Sequence, residues 1–146
     1  MFDTLQTFIA PRLRSFLKLL SIGHFHKKRI VFFSYFGAQY SCNPKYISEY
    51  MQERHPDFEI TWAFKSPQNF SYLHDKGIKT VKYLHPYFLH VCLTSKFIVT
   101  NSEIPAWFPI MKRQVYINTW HGGGAYKRVG AAYQKETPGK QIRAEI

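Results

Sequence analysis

Apolar positions in the first twenty residues recur at helical spacing: Leu5, Phe8, Ile9, Leu13, Phe16, Leu17 and Leu20, with Thr7, Arg14, Ser15 and Lys18 on the other side. Pro11 either breaks this amphipathic helix or stands in its first turn. From Arg29 the pattern becomes an alternation of strands and helices. The β-branched and aromatic run RIVFFSYFG (29–37) ends in a glycine and reads as a buried strand. NPKYISEYMQERH (43–55) predicts a helix with Asn43 as N-cap, Pro44 at the first helical position and Ile47, Tyr50 and Met51 along one face. A strand is predicted at FEITWAF (58–64), a short helix at NFSYLHDKG closed by Gly77, and a third strand at KTVKYL (79–84). A helix over 86–96, a strand over 97–102 and a last strand over 115–120 complete the series. Strands separated by helices of this length form a parallel sheet, so the fold class is α/β.

A chain of 146 residues with 45% hydrophobic and 18% aromatic content has enough apolar side chain for one sizeable core. Twenty lysines and arginines against nine acids leave a net charge of +11, a field that attracts phosphorylated partners and anionic surfaces. Neither a zinc-finger spacing nor an aromatic RNA-binding signature accompanies that charge, which argues against nucleic acid as partner. Cys42 and Cys92 are far apart and have no CxxC spacing, so no metal site and no disulfide framework is expected, and a reducing cytoplasm suits them. Arg12, Arg14 and Lys18 interrupt the first apolar stretch, and Lys27 and Lys28 follow it within GHFHKKR. Residues 1–28 therefore read as a basic amphipathic segment that either rests on an anionic membrane surface through these five cations or packs on the remaining domain, 29–146.

The segment NTWHGGGAYKRVG (118–130) is the most chemically suggestive stretch. His121 follows a strand, three glycines follow His121, and Lys127 and Arg128 stand just beyond. In open parallel sheets ligands bind past the carboxyl ends of the strands. Consecutive glycines let backbone N–H groups approach an anion without Cβ collisions. An imidazole titrates near pH 6.5, which suits it to take a proton from a hydroxyl. The spacing matches neither a Walker A loop nor the dinucleotide GxGxxG fingerprint, and the alternative is an ordered histidine at a tight strand-to-helix turn. His24, His26, His55, His74, His85 and His90 carry no comparable context.

Two further stretches qualify. SYFGAQYSCNPKY (34–46) leads from the first strand to a helix start at Asn43, and in a parallel sheet it can face the histidine segment across one crevice. TNSEIPAWFPIMKRQ (100–114) sets Trp107 and Phe108 between prolines ahead of Lys112 and Arg113, which suits core packing or a partner-domain interface better than a membrane or polymer contact.

YSCNPKYI, VTNSEIPAWFP and VYINTWHGGGAYKRVG, in this order and spacing, resemble the CDP-glycerol glycerophosphotransferases, the primases and polymerases of teichoic acids and related capsule polymers. The resemblance covers about residues 29–130, and the Trp-His-Gly segment is its most specific part. It implies two Rossmann-like domains in a GT-B-like architecture with the active site between them, of which this chain is the first. It also implies peripheral attachment to the cytoplasmic face of the cell membrane. The implied reaction moves glycerol phosphate or ribitol phosphate from a CDP-linked donor to the terminal hydroxyl of a lipid-linked acceptor, releasing CMP. Beyond the CDP-linked donor no cofactor is implied. His121 is the implied general base, with Gly122, Gly123, Gly124, Lys127, Arg128, Asn43 and Lys45 near acceptor or phosphate.

Two departures stand out. Cys42 occupies a position where many relatives carry an aspartate, and the family's second, donor-binding domain has no counterpart in 146 residues. The chain is accordingly expected to be an N-terminal fragment, inactive without its donor domain. The different class of reading is a non-enzymatic basic module that binds anionic lipid or phosphate polymer.

Overall fold

The computed structural model describes residues 12, 13, 15–17, 25–105 and 107–121. Five strands, β1 (His26–Phe33), β2 (Glu59–Phe64), β3 (Lys79–Lys82), β4 (Ser95–Thr100) and β5 (Val115–Asn118), form one sheet. All four neighbouring pairs are parallel and the spatial order is β3-β2-β1-β4-β5. Helix α1 (Cys42–Arg54) connects β1 to β2, a 3₁₀ segment (Pro67–Lys76) connects β2 to β3, and α2 (Pro86–Thr94) connects β3 to β4. The predicted α/β class and its alternation are present.

β1 is apolar on both sides, and its residues divide between two cores. Val31 and Phe33 join Ala63, Val81, Phe88, Val91, Leu93 and Ile98 beneath α2. Ile30 and Phe32 join Ile60, Trp62, Phe64, Leu73, Ile78 and Val99, against which Ile47 and Met51 of α1 pack. Helical layers on both faces explain why the central strands lack the polar alternation of a half-exposed sheet. The second core is largely aromatic: Trp62 lies parallel to Phe32 at 5.5 Å and to Phe64 at 5.6 Å, and Phe70 stacks on Phe64 at 3.8 Å. Trp62 Nε1 donates to Ser48 Oγ at 2.9 Å, tying the middle of α1 to β2.

Several boundaries move for local reasons. β1 starts at His26, so Lys27 and Lys28 are exposed strand residues, and Lys28 pairs with Asp57 at 2.5 Å. It ends at Phe33 because Tyr35, Phe36 and Gly37 have left-handed φ values of 47°, 54° and 78°, which no strand accommodates. The predicted helix at 69–77 is instead 3₁₀, consistent with Phe70 and Leu73, three residues apart, packing on the same core. Gly77 closes it with φ 73°, as expected. α2 stops at Thr94, two residues before its predicted end. Ser95 is extended, its hydroxyl bonds to the Val91 carbonyl, and its own carbonyl accepts from Gln114 Nε2.

Arg12, Leu13, Ser15, Phe16 and Leu17 are helical. Leu17 is buried in the α2-side core, whereas Phe16 is exposed. Among the described residues no helix is long and apolar enough to cross a membrane.

Candidate functional site

The strand order sets the place of the site. From β1 the chain proceeds outward to β2 and β3, then returns past β1 to β4 and continues outward to β5. The direction therefore reverses between β1 and β4, and in parallel sheets the loops leaving such a pair diverge and open a crevice at the carboxyl end.

Polar residues at the end of β4 hold that crevice together. Asn101, fully buried, accepts the Tyr35 N–H at its Oδ1 (2.9 Å), and Ser102 Oγ accepts the Phe36 N–H (3.3 Å). These bonds fasten the left-handed turn after β1 to β4. Two consecutive non-glycine residues in this conformation cost of order 1–3 kcal/mol each, strain that persists where the surroundings hold it in place. Gly37 completes the turn. A Cβ there would lie 2.9 Å from Tyr83 Cβ and 3.2 Å from the Lys65 nitrogen.

The end of β5 joins from the other side. Thr119 donates its N–H to the Thr100 carbonyl at 2.7 Å, and the Trp120 N–H bonds to Asn118 Oδ1 at 3.0 Å. His121 is exposed, and its ring lies against Tyr35 with centroids 5.1 Å apart. Asn43 Nδ2 points at the Thr119 and Trp120 carbonyls at 3.4 and 3.5 Å. The loop after β1, the start of α1 and the histidine segment thus meet at the carboxyl end of the sheet.

Asn43 is not the helix cap expected from sequence. Ser41 precedes the helix without a side-chain capping bond, Cys42 has φ 63°, and the Asn43 amide is turned toward β5. Cys42 is half-buried at the start of the helix. Desolvation, its largest single influence, raises the thiol pKa, but the Asn101 side chain, the Asn43 N–H and the Tyr35 hydroxyl outweigh it, and the net direction is downward. Tyr35 moves upward, first through its hydrogen bond with Cys42 and then through desolvation. Asn101 Nδ2 is buried and has no hydrogen-bond partner among the described residues.

Lys45 is directed along α1. Its ammonium is 3.9 Å from Glu49 Oε1 and lies over the Tyr46 and Tyr40 rings at 5.1 and 5.9 Å. Gly122, Gly123, Gly124, Lys127 and Arg128 lie outside the described residues, as do Arg14 and Lys18. Of the other proposed membrane contacts, Arg12, Lys27 and Lys28 are exposed. Phe108 is buried in the α2-side core with Trp107 packed against it, so core packing accounts for this pair.

Sequence reasoning passed over Tyr35, Asn101 and Ser102 as site residues. The available signal was TNS at the end of a buried strand, three polar residues where solvent contact had not yet resumed. A hollow of about 420 Å³ between β2, β3 and α2 is lined by Glu59 and Lys79 at the amino ends of the strands. It lies away from the crevice. Glu59 there is already paired with Arg29 at 2.9 Å and Lys79 at 3.2 Å.

Comparison with known proteins places these features in context. The family model for CDP-Glycerol:Poly(glycerophosphate) glycerophosphotransferase matches residues 15–145. A teichoic acid poly(glycerol phosphate) polymerase of Bacillus subtilis (strain 168) is 35% identical over 96 residues, 66% of this chain and 13% of the relative. A namesake from Bacillus spizizenii is 31% identical over 116 residues, covering 78% of this chain and 29% of its own. A solved variant of the wall teichoic acid polymerase TagF superposes with a TM-score of 0.68 at 28% identity, over 89% of this chain and 32% of that one. The chain thus spans less than a third of the length of these relatives.

Proposed function

Because the chain belongs to the CDP-glycerol:poly(glycerophosphate) glycerophosphotransferase family, we propose that it supplies the acceptor side of a polyol-phosphate transferase. The observation that carries this reading is the crevice at the β1/β4 switch point, where the Tyr35 ring and the Asn43 amide meet the segment bearing His121. An imidazole at the carboxyl end of a parallel sheet suits deprotonation of an alcohol that attacks a phosphoryl group.

In this reaction His121 takes the proton of the acceptor's terminal hydroxyl as its oxygen bonds to the phosphorus of the transferred glycerol phosphate or ribitol phosphate. The pyrophosphate P–O bond of the CDP-linked donor breaks, and CMP leaves. General-base assistance of this kind is typically worth about 10²–10⁴ in rate. Backbone N–H groups at Gly122, Gly123 and Gly124 and the cations Lys127 and Arg128 offset negative charge on the phosphoryl oxygens. Asn43 fixes the histidine segment through its carbonyls, and Lys45 contributes positive potential at the mouth. One of the solved TagF structures was soaked with CDPG, which supports a CDP-linked donor for the family. The donor pocket itself belongs to a further, C-terminal domain, and the acceptor is a lipid-linked polyol-phosphate chain. Peripheral attachment at the cytoplasmic membrane face follows, with Arg12, Arg14, Lys18, Lys27 and Lys28 on the anionic lipid.

The test is CMP release from CDP-glycerol and CDP-ribitol with a lipid-linked acceptor, using the chain alone and joined to the donor-binding portion of a teichoic acid polymerase. Activity is expected only in the joined form, and His121→Ala lowers it by about 10²–10⁴. Full activity in that variant, or no CMP from either donor, overturns the assignment.

A further inference from the structure

The end of β4 holds two segments at once. On the side of β1, Asn101 Oδ1 accepts the Tyr35 N–H at 2.9 Å and the Ser102 hydroxyl at 3.1 Å, and Ser102 Oγ accepts the Phe36 N–H at 3.3 Å. On the side of β5, the Thr100 carbonyl accepts the Thr119 N–H at 2.7 Å and the Thr119 hydroxyl at 3.2 Å. Thr100 Oγ1 ties the two halves together by accepting the Ser102 N–H at 3.0 Å. Thr100 and Asn101 are 0% exposed and Ser102 is 5% exposed, so these bonds form out of water, where breaking one costs about 1–3 kcal/mol.

Each held segment carries a ring to the carboxyl end of the sheet, and the two rings meet. Tyr35 and His121 lie with centroids 5.1 Å apart and planes inclined at 40°. The backbone that presents them is strained. Five non-glycine residues among those described have left-handed φ, and four of them, Tyr35, Phe36, Cys42 and Trp120, border this crevice. Strained conformations persist where neighbours hold them, and here the holding bonds are identified. The Lys65 N–H adds one from the end of β2, to the Gly37 carbonyl at 2.7 Å, and Asn118 Oδ1 accepts the Trp120 N–H at 3.0 Å.

We propose that Tyr35 is a positioning residue for His121: its ring is a wall that limits the imidazole to one arrangement, and the end of β4 sets the distance between them. This inference rests on the general-base reading of His121. A base works only within about 2.6–3.2 Å of the proton it takes, and a displacement of about 1 Å can cost 10²-fold in rate. His121 is exposed, so without a neighbouring ring its side chain would exchange freely among staggered rotamers. Tyr35 is half-buried and its N–H is bonded to buried Asn101, which makes it a fixed surface for the imidazole to rest on.

The contact is ring against ring, so the aromatic face of Tyr35 and not its hydroxyl is the operative part. The bond to Asn101 uses the backbone N–H, so a side-chain substitution at Tyr35 leaves the clamp in place. Removing the ring therefore loosens the imidazole without dismantling the crevice. Such a change acts on turnover, whereas the CDP-linked donor is held elsewhere in the proposed enzyme, so its KM is spared.

Two measurements test this. In the unsubstituted 146-residue chain, nuclear Overhauser contacts are expected between the Tyr35 ring protons and Hδ2 or Hε1 of His121. In the joined enzyme, Tyr35→Leu is expected to lower kcat for CMP release by about 10–10²-fold while KM for CDP-glycerol changes less than about 2-fold, and Tyr35→Phe restores most of the rate. Absence of the ring contact overturns the positioning role whatever the variants do. With His121→Ala inactive, a Tyr35→Leu enzyme of unchanged kcat, or a Tyr35→Phe enzyme as slow as Tyr35→Leu, overturns that role alone. Full activity in His121→Ala, or no CMP from the joined wild type, overturns the general-base reading and this inference with it.

Discussion

The bond between Trp62 Nε1 and Ser48 Oγ offers a direct test of how α1 is fixed to the sheet. Both residues are 0% exposed, and the 2.9 Å bond joins the middle of α1 to the middle of β2. In Ser48→Ala the indole N–H loses this acceptor while the ring stays enclosed against Phe32, Phe64 and Tyr40. Removing one partner of a buried pair costs the desolvation of the other, about 1–3 kcal/mol. For a domain near this size each kcal/mol corresponds to roughly 2–4 °C in Tm, so a fall of about 2–12 °C is expected. Urea unfolding followed by circular dichroism measures the change directly. The reverse substitution is less damaging on the polar side, because a helical serine hydroxyl can turn to the carbonyl four residues earlier. In a double-mutant cycle with Trp62→Phe the two changes should couple by about 1 kcal/mol. If Ser48→Ala changes stability by less than about 0.5 kcal/mol, or the cycle shows no coupling, the bond does not anchor the helix and the reasoning fails.

Three other outcomes follow from the same geometry. Gly37→Ala brings a Cβ within 2.9 Å of Tyr83 Cβ at φ 78°, so a loss of about 1–3 kcal/mol in urea unfolding is expected, and an unchanged midpoint would contradict the tight turn. Burial acts against the Glu59 carboxylate, but Arg29 and Lys79 outweigh it and hold the group below its ordinary 4.5. Its folded pKa being the lower one, the stability it contributes is present above about pH 4.5 and is lost as pH falls through the folded value. The stability gap between wild type and Glu59→Gln should therefore close in acid, and a gap constant from pH 6 to 3 would exclude the ion-pair account. Asn43→Ala breaks only long bonds of 3.4 and 3.5 Å, so unfolding should shift by less than about 0.5 kcal/mol while CMP release by the joined enzyme falls. Equal activity would remove Asn43 from the site.

Apolar stretches such as 30–33 and 62–64, with Pro44, Pro67 and Pro86 at element starts and Gly77 at an end, made the α/β alternation legible from residues close in the chain. Chain-local rules act over a few residues, which is why the elements could be named while their limits shifted at Tyr35 and Ser95. The histidine segment stood out in sequence because its glycines and cations are adjacent there. Which strands become neighbours depends on both faces of β1 being covered by helices at once, a long-range packing condition that no window of sequence contains. The reversal between β1 and β4 arises only from that order. It brings Tyr35 to Asn101, 66 residues apart, and sets Asn43 beside Thr119, 76 residues apart. Asn101 and Ser102 read in sequence as the polar end of a strand. The tertiary structure makes them the fasteners of a crevice, because a strained turn persists only where buried partners hold its N–H groups.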